Sequence, residues 1–158
     1  MGAIVVLLLA IGVWVLVQSS ADTASSTAAN PVIEEALASV QSPTLGDPTA
    51  KVHIVEFLDP ACETCAVFSP ILKRFMATYP EKIRLVVRYA PFHEGSSGAV
   101  RVLEAAKMQG RFWEALDLLY RTQNVWTQHH QVFLDRIWQL LPQAGLDLRQ
   151  AEEAAQQQ

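Results

Sequence analysis

The hydrophobic period of this chain changes from that of a strand to that of a helix near residue 60, and its only two cysteines, Cys62 and Cys65, stand at the change. Upstream, residues 52–58 read VHIVEFL. That run is apolar on both faces, as strands of a parallel sheet covered on both sides are. Glu56 is its charged misfit. Downstream, Cys65, Phe68, Ile71, Leu72, Phe75, Met76 and Tyr79 recur at helical spacing on one face. Pro80 follows and helps stop the helix. Residues 83–89, IRLVVRY, return to strand period, with Arg84 and Arg88 alternating against Ile83, Leu85, Val87 and Tyr89. Strand, helix and strand in this order predict a βαβ unit over residues 52–89, with parallel strands and a right-handed crossover.

Residues 42–50, SPTLGDPTA, are turn-rich and mark where the domain begins. After Tyr89 every periodic segment is helical. Ser96 or Ser97 is placed to cap a first helix, and Gly110 to end it. A second carries Phe112, Leu116, Leu119 and Tyr120, a third spans 132–141, and Asp147 is placed to cap a fourth that runs into the terminal glutamines. Trp113, Trp126 and Trp138 are expected in the core of this helical part.

The chain opens differently. Residues 3–17 carry no polar side chain. A run of this length lies between the roughly 7–15 residues of a signal-peptide core and the roughly 17–25 of a membrane span. Residues 19–21, SSA, offer a cleavage site, yet no Lys or Arg occurs before Lys51. Residues 1–17 therefore read as an N-terminal anchor or signal segment, and the expected location is extracytoplasmic. Residues 18–30 are a Ser/Thr/Ala tether. With a short amphipathic helix on 32, 33, 36, 37 and 40, they make 18–41 a linker, which leaves 42–158 as the domain. The hydrophobic fraction, 51%, supports a core as well as this segment. A net charge of −4 with no basic stripe argues against nucleic acid as a partner.

Two cysteines so close together close a short ring, which removes little entropy from the unfolded chain, so stapling is a weak reason to keep them. Redox chemistry is a better one. The unpaired N–H groups and dipole of a helix N-terminus favour a thiolate at Cys62. Cys65, one turn in, is placed to resolve a mixed disulfide formed on Cys62. Cys-x-x-Cys also occurs in zinc sites, but here it follows an apolar strand, opens a helix and has Pro70 five residues beyond its second cysteine.

On those residues the chain resembles the thioredoxin superfamily. CETCAVFSPIL is similar to the active-site helix, and LGDPTAKVHIVEFLDPAC is similar to DsbA-like thiol–disulfide oxidoreductases of the bacterial envelope. The resemblance covers about residues 46–126. It implies an α/β fold, a thioredoxin-like βαβ unit with an inserted helical subdomain over about 96–158, and protein thiol or disulfide substrates served by a redox partner protein, with no cofactor. It also implies a buried acid six residues before the nucleophile, a place Glu56 fills. A raised carboxyl there would exchange a proton with Cys65. Glu63-Thr64 tune the couple. Glu63 sets a like charge beside the Cys62 thiolate, which makes a weaker oxidant than relatives carrying Pro-His. The final β-hairpin, helix and cis-proline of the family have no counterpart, since neither Pro91 nor Pro142 precedes a strand pattern. The expectation is a C-terminally shortened chain with an open sheet edge, loosely folded and weakly active. Two rival functions are a metal- or copper-handling module of the same fold and a non-catalytic, membrane-tethered binding domain. Of the histidines, His53 is expected half-buried in its strand, His93 in a loop near the cysteines, and His129-His130 in solvent; none is assigned to a metal.

Overall fold

The computed structural model describes residues 37, 41–129 and 131–157. The apolar segment expected over 1–17 lies outside the described residues, as do His130 and the linker with its short helix, save Leu37 and Gln41. The chain divides into two units, Met1–Glu35 and Ala36–Gln158, and the second holds the elements below.

Strand β1 is Thr44–Gly46, β2 is Val52–Leu58 and β3 is Ile83–Tyr89. Helix α1, Glu63–Thr78, joins β2 to β3. The latter two run parallel in register from Val52↔Ile83 to Leu58↔Tyr89, so the βαβ unit forms as its periodicity dictates. The sheet order is β1-β3-β2. β1 corrects the reading of residues 42–50 as turns alone. It is three residues long and pairs antiparallel with β3, Thr44↔Val86 to Gly46↔Arg84. So short a strand has no period of its own, and β3 supplies its partners. Gly46 ends it at φ 96°, where an added Cβ would lie 2.3 Å from the Ile83 carbonyl oxygen. No other residue fits that turn without displacing β3.

Central β3 is covered on both faces, with Leu85, Val86 and Val87 all buried. β2 is not, contrary to the expectation of a covered strand. It lies at the sheet edge among the described residues, and only Leu58 is buried, while Val52 and Phe57 are 51% and 59% exposed. His53 is exposed with them rather than half-buried. The apolar face of α1 is likewise open. Phe68, Ile71, Phe75 and Tyr79 are exposed, and Ser69 is the buried residue of that helix. Helical spacing identifies an apolar face, but whether something packs on it is decided by the rest of the fold.

The helical part follows β3: α2 Ser96–Met108, α3 Phe112–Arg121, α4 Gln123–Trp126, α5 Leu134–Leu140, a 3-10 turn Leu141–Ala144, and α6 Leu148–Gln156. A small antiparallel hairpin, β4 Thr127–Gln128 and β5 Gln131–Val132, takes the start of the segment expected to be a third helix, which begins only at Leu134. His129 turns it, exposed, at φ 49°. Leu103, Leu116, Leu119, Trp126, Ile137 and Leu141 form the core with Leu58 and Val87 of the sheet. Trp126 is fully buried and donates its indole N–H to the Leu119 carbonyl at 2.8 Å. Trp113 and Trp138 pack on this core half-buried. Gly98 lets α2 meet α5, since a Cβ there would stand 2.5 Å from a Leu134 methyl. Asp147 caps α6 by accepting from the Gln150 N–H at 3.2 Å. The N-cap of α2 is Gly95, at φ 79°, rather than a serine. The hydroxyl of Ser96 is engaged elsewhere.

Candidate active site

β2 ends at Leu58, and the chain turns through Asp59, Pro60 and Ala61 into α1. The Asp59 carboxylate accepts from the Ala61 N–H at 2.9 Å, an Asx turn. The Cys62 N–H bonds the Asp59 carbonyl at 3.1 Å. Pro60 is fully buried, and its carbonyl accepts from the Gln123 side chain at 2.9 Å. Cys62 therefore arrives as the N-cap of α1 in extended backbone (φ −78°, ψ 116°), and its Sγ accepts from the Cys65 N–H at 3.4 Å. Here sulfur fills the place that a Ser or Asp oxygen usually holds at an N-cap. The two sulfurs are not bonded to each other, and both cysteines are partly exposed.

Their surroundings differ. Burial pushes the Cys65 thiol up to about 11; a hydrogen bond from the Asp59 backbone N–H opposes this, while Cys62 and the charge of Glu56 add to it. Glu56, half-buried on β2, has its carboxyl raised by burial, with Lys73 pulling partly the other way. Lys73 in turn pairs with Asp117 across α1 and α3. The structure thus brings Glu56 and Cys65 into one electrostatic neighbourhood. Glu63 and Thr64 are exposed in the first turn, and Pro70 lies exposed further along α1. Among the described residues, no three His, Cys, Asp or Glu side chains converge as metal ligands would.

Sequence reasoning missed Asp59, which is 3% exposed. One of its oxygens accepts from the N–H groups of Phe92 and His93 and from His93 Nδ1, at 2.7, 2.9 and 2.7 Å. The other accepts from Ala61 and from the Ser96 hydroxyl. Burial acts to raise this carboxyl, but the bonds from Ser96, His93 and Ala61 together hold it below the ordinary carboxylate range. They tie the loop after β3, and the first turn of α2, to the turn that carries Cys62. An Asp-Pro pair after a strand signals a turn; nothing local signals that its partners lie 33 to 37 residues away. Tyr120 reads as helical core, and its ring is core, but its buried hydroxyl has no hydrogen-bond partner among the described residues.

Comparison with known proteins shows the family and the fold. Residues 38–158 match the family described as thioredoxin. Among solved structures, a thioredoxin-like oxidoreductase from Silicibacter pomeroyi DSS-3 superposes with a TM-score of 0.63 at 26% identity, over 74% of this chain and 64% of that one. The α-DsbA1 of Wolbachia pipientis shares the fold with a TM-score of 0.64 at 17% identity, over 77% and 63%. A curated relative, the Na(+)/H(+) antiporter NhaA of Herminiimonas arsenicoxydans, is 32% identical over 87 residues, which are 55% of this chain. The chain spans only 14% of that antiporter's length.

Proposed function

The chain belongs to the thioredoxin family, which it matches over residues 38–158, and on that premise we propose that it is a DsbA-like thiol–disulfide oxidoreductase of the bacterial envelope, exchanging disulfides with protein substrates through Cys62 and Cys65. One observation carries the reading: Cys62 caps the N-terminus of α1 while Cys65, one turn deeper, is a thiol pushed up to about 11. The two sulfurs of one ring are thereby made unequal. Cys62, at the partly exposed helix end, attacks a disulfide or, once oxidised, is itself attacked. Cys65 stays protonated until a mixed disulfide on Cys62 calls for it, and Glu56 takes its proton. Glu63, exposed beside Cys62, weakens the couple as an oxidant. Pro70 belongs to the same active-site helix.

The apolar run over residues 3–17 supports an extracytoplasmic domain held or delivered by its N-terminal segment, with 18–41 as tether, 42–158 as catalytic domain and a separate redox protein resetting the couple. The deciding experiment is capture. Cys65→Ser, exposed to a disulfide substrate, should accumulate a mixed disulfide on Cys62 that mass spectrometry locates. Accumulation on Cys65 in Cys62→Ser, with none in Cys65→Ser, would reverse the roles. No capture by either variant would end the exchange reading.

A further inference from the structure

Asp59, Ser96 and Gln123 are buried polar side chains, and all three bond within the turn Asp59–Ala61 that leads into Cys62. Gln123 opens α4 in the helical part, and its side-chain N–H donates to the Pro60 carbonyl at 2.9 Å. A proline has a fixed φ and no N–H, so that carbonyl is the single backbone polar group Pro60 carries. Pro60 is fully buried. The next group along the chain, the Ala61 N–H, donates to the Asp59 carboxylate at 2.9 Å. This carbonyl and this N–H belong to one planar peptide unit. Its two ends are therefore held by different parts of the fold, one by Gln123 and the other by Asp59, and Cys62 follows directly. The donor is itself fixed. The Gln123 carbonyl accepts from the Thr127 hydroxyl at 2.8 Å, and the Val125 N–H closes onto the Thr122 carbonyl at 2.8 Å. An unbranched apolar side chain of the same length would fill the space of Gln123 but leave the Pro60 carbonyl buried and unpaired, so the amide is explained by the bond it makes.

We propose that Gln123 is a positioning residue for the cysteine pair: by fixing the Pro60–Ala61 peptide it sets where Cys62 Sγ lies when Cys65 closes on it. Cys62 Sγ accepts from the Cys65 N–H at 3.4 Å, so its place is defined by the turn before it and the first helical turn after it. Closure needs the attacking sulfur, Cys62 Sγ and the departing sulfur in line, and small misplacements of reacting atoms slow such steps steeply. Freeing one end of the peptide lets Cys62 Sγ leave that line. Capping of a partly exposed sulfur by a small reagent makes no such demand. The step balances. The Cys65 thiol gives its proton to the Glu56 carboxylate, and its sulfur attacks Cys62 Sγ. The bond from Cys62 Sγ to the substrate sulfur breaks with its electron pair on the substrate. The departing sulfur is protonated from Glu56. The two cysteines are oxidised to a disulfide and the substrate sulfur is reduced to a thiol, while Gln123 only holds the turn.

This inference rests on the thiol–disulfide reading above, so its test uses a small aromatic disulfide instead of a protein substrate. With one equivalent of dithiobis(nitrobenzoate) added to the full chain, one coloured thiol is released when a cysteine is capped and a second when the other cysteine closes the ring. Gln123→Met keeps length and apolar volume and loses the donor. It should slow the second release about tenfold and leave the first unchanged. In concentrated urea, where no turn is held, the two chains should close at the same rate. Gln123→Glu gives a second arm, which decides alone if Gln123→Met does not melt cooperatively. A neutral carboxyl can donate its O–H to the Pro60 carbonyl and a carboxylate cannot. The closing rate of Gln123→Glu, divided by that of the unsubstituted chain at the same pH, should therefore rise toward one as pH falls through the carboxylate range. Groups common to both chains cancel in that ratio. Equal closing rates for Gln123→Met and the unsubstituted chain, or a ratio for Gln123→Glu that is flat with pH, overturn the inference. A chain that shows these contrasts, yet captures no protein disulfide, supports the positioning role and overturns the exchange reading instead.

Discussion

The two sides of α1 meet different surroundings. Toward the helical part, Ser69 is buried and Cys65 and Ala66 pack on a closed core of Leu103, Leu116, Leu119, Trp126 and Ile137. On the other side Val67, Phe68, Ile71 and Phe75 are exposed, and Phe57 of β2 is exposed with them. Both sets of side chains are apolar, so composition does not separate them. What separates them is whether a second layer lies opposite. A buried aliphatic or aromatic side chain contributes about 1.5–3 kcal/mol relative to an exposed one. The helical part therefore carries most of the stability, and the cysteine pair stands where that part meets the open face.

Trp126→Ala should have the largest effect. It removes a fully buried ring and its bond to the Leu119 carbonyl, and should cost about 3–5 kcal/mol. A lower urea midpoint at unchanged slope measures this. A loss below about 1 kcal/mol would break the comparison, since the core would then be no firmer than the open face.

Asp59→Asn comes next, at about 2 kcal/mol, because it removes a charge to which five N–H and O–H groups point. The sign with pH follows from its depressed folded value. The unfolded carboxyl binds protons more readily than the folded one, so this stability is fully present above the ordinary carboxylate range. It is lost as pH falls through the lowered folded value. Stability against pH should show that acid limb in the unsubstituted chain and lack it in Asp59→Asn. Identical acid limbs would mean that the carboxylate is not charged in the fold.

Phe68→Ser should do least. Its side chain is 62% exposed, and the change in stability should stay within about 0.5 kcal/mol. A loss comparable to that of Trp126→Ala would show that the face is covered in solution. Sedimentation sharpens the same point. An exposed apolar patch favours association, so the variant should sediment as a smaller species at high concentration or not differ at all.

The βαβ unit was legible because strand and helix periods are local, and so was the place of Cys62, since a helix beginning there follows from the change of period itself. The cap at Asp147 was legible for the same reason. β1 was not, because Thr44–Gly46 is a strand only through its pairing with β3. Ser96 read as a cap because serine before a helix usually is one; the buried Asp59 takes its hydroxyl instead, and Gly95 fills the cap. The exposure of the faces of β2 and of the Phe68 side of α1 was illegible from periodicity alone, which marks an apolar face without saying what covers it. The Tyr120 hydroxyl was hidden in the same way, as one polar atom on a ring whose spacing marks it as core.

The carboxylate of Asp59 also fixes an order of events in time. A chain emerging from synthesis presents Asp59 and both cysteines before residues 92, 93 and 96 exist. Until those residues arrive, the carboxylate has only the Ala61 N–H near at hand in sequence and draws the rest of its hydrogen bonds from water. The turn that aims Cys62 is then held by one internal bond to that side chain instead of five. The thiols acquire their unequal surroundings only once β3 is in register and the first turn of α2 has formed. A nascent chain of this sequence therefore carries Cys62 and Cys65 without these tethers until residue 96 has been added.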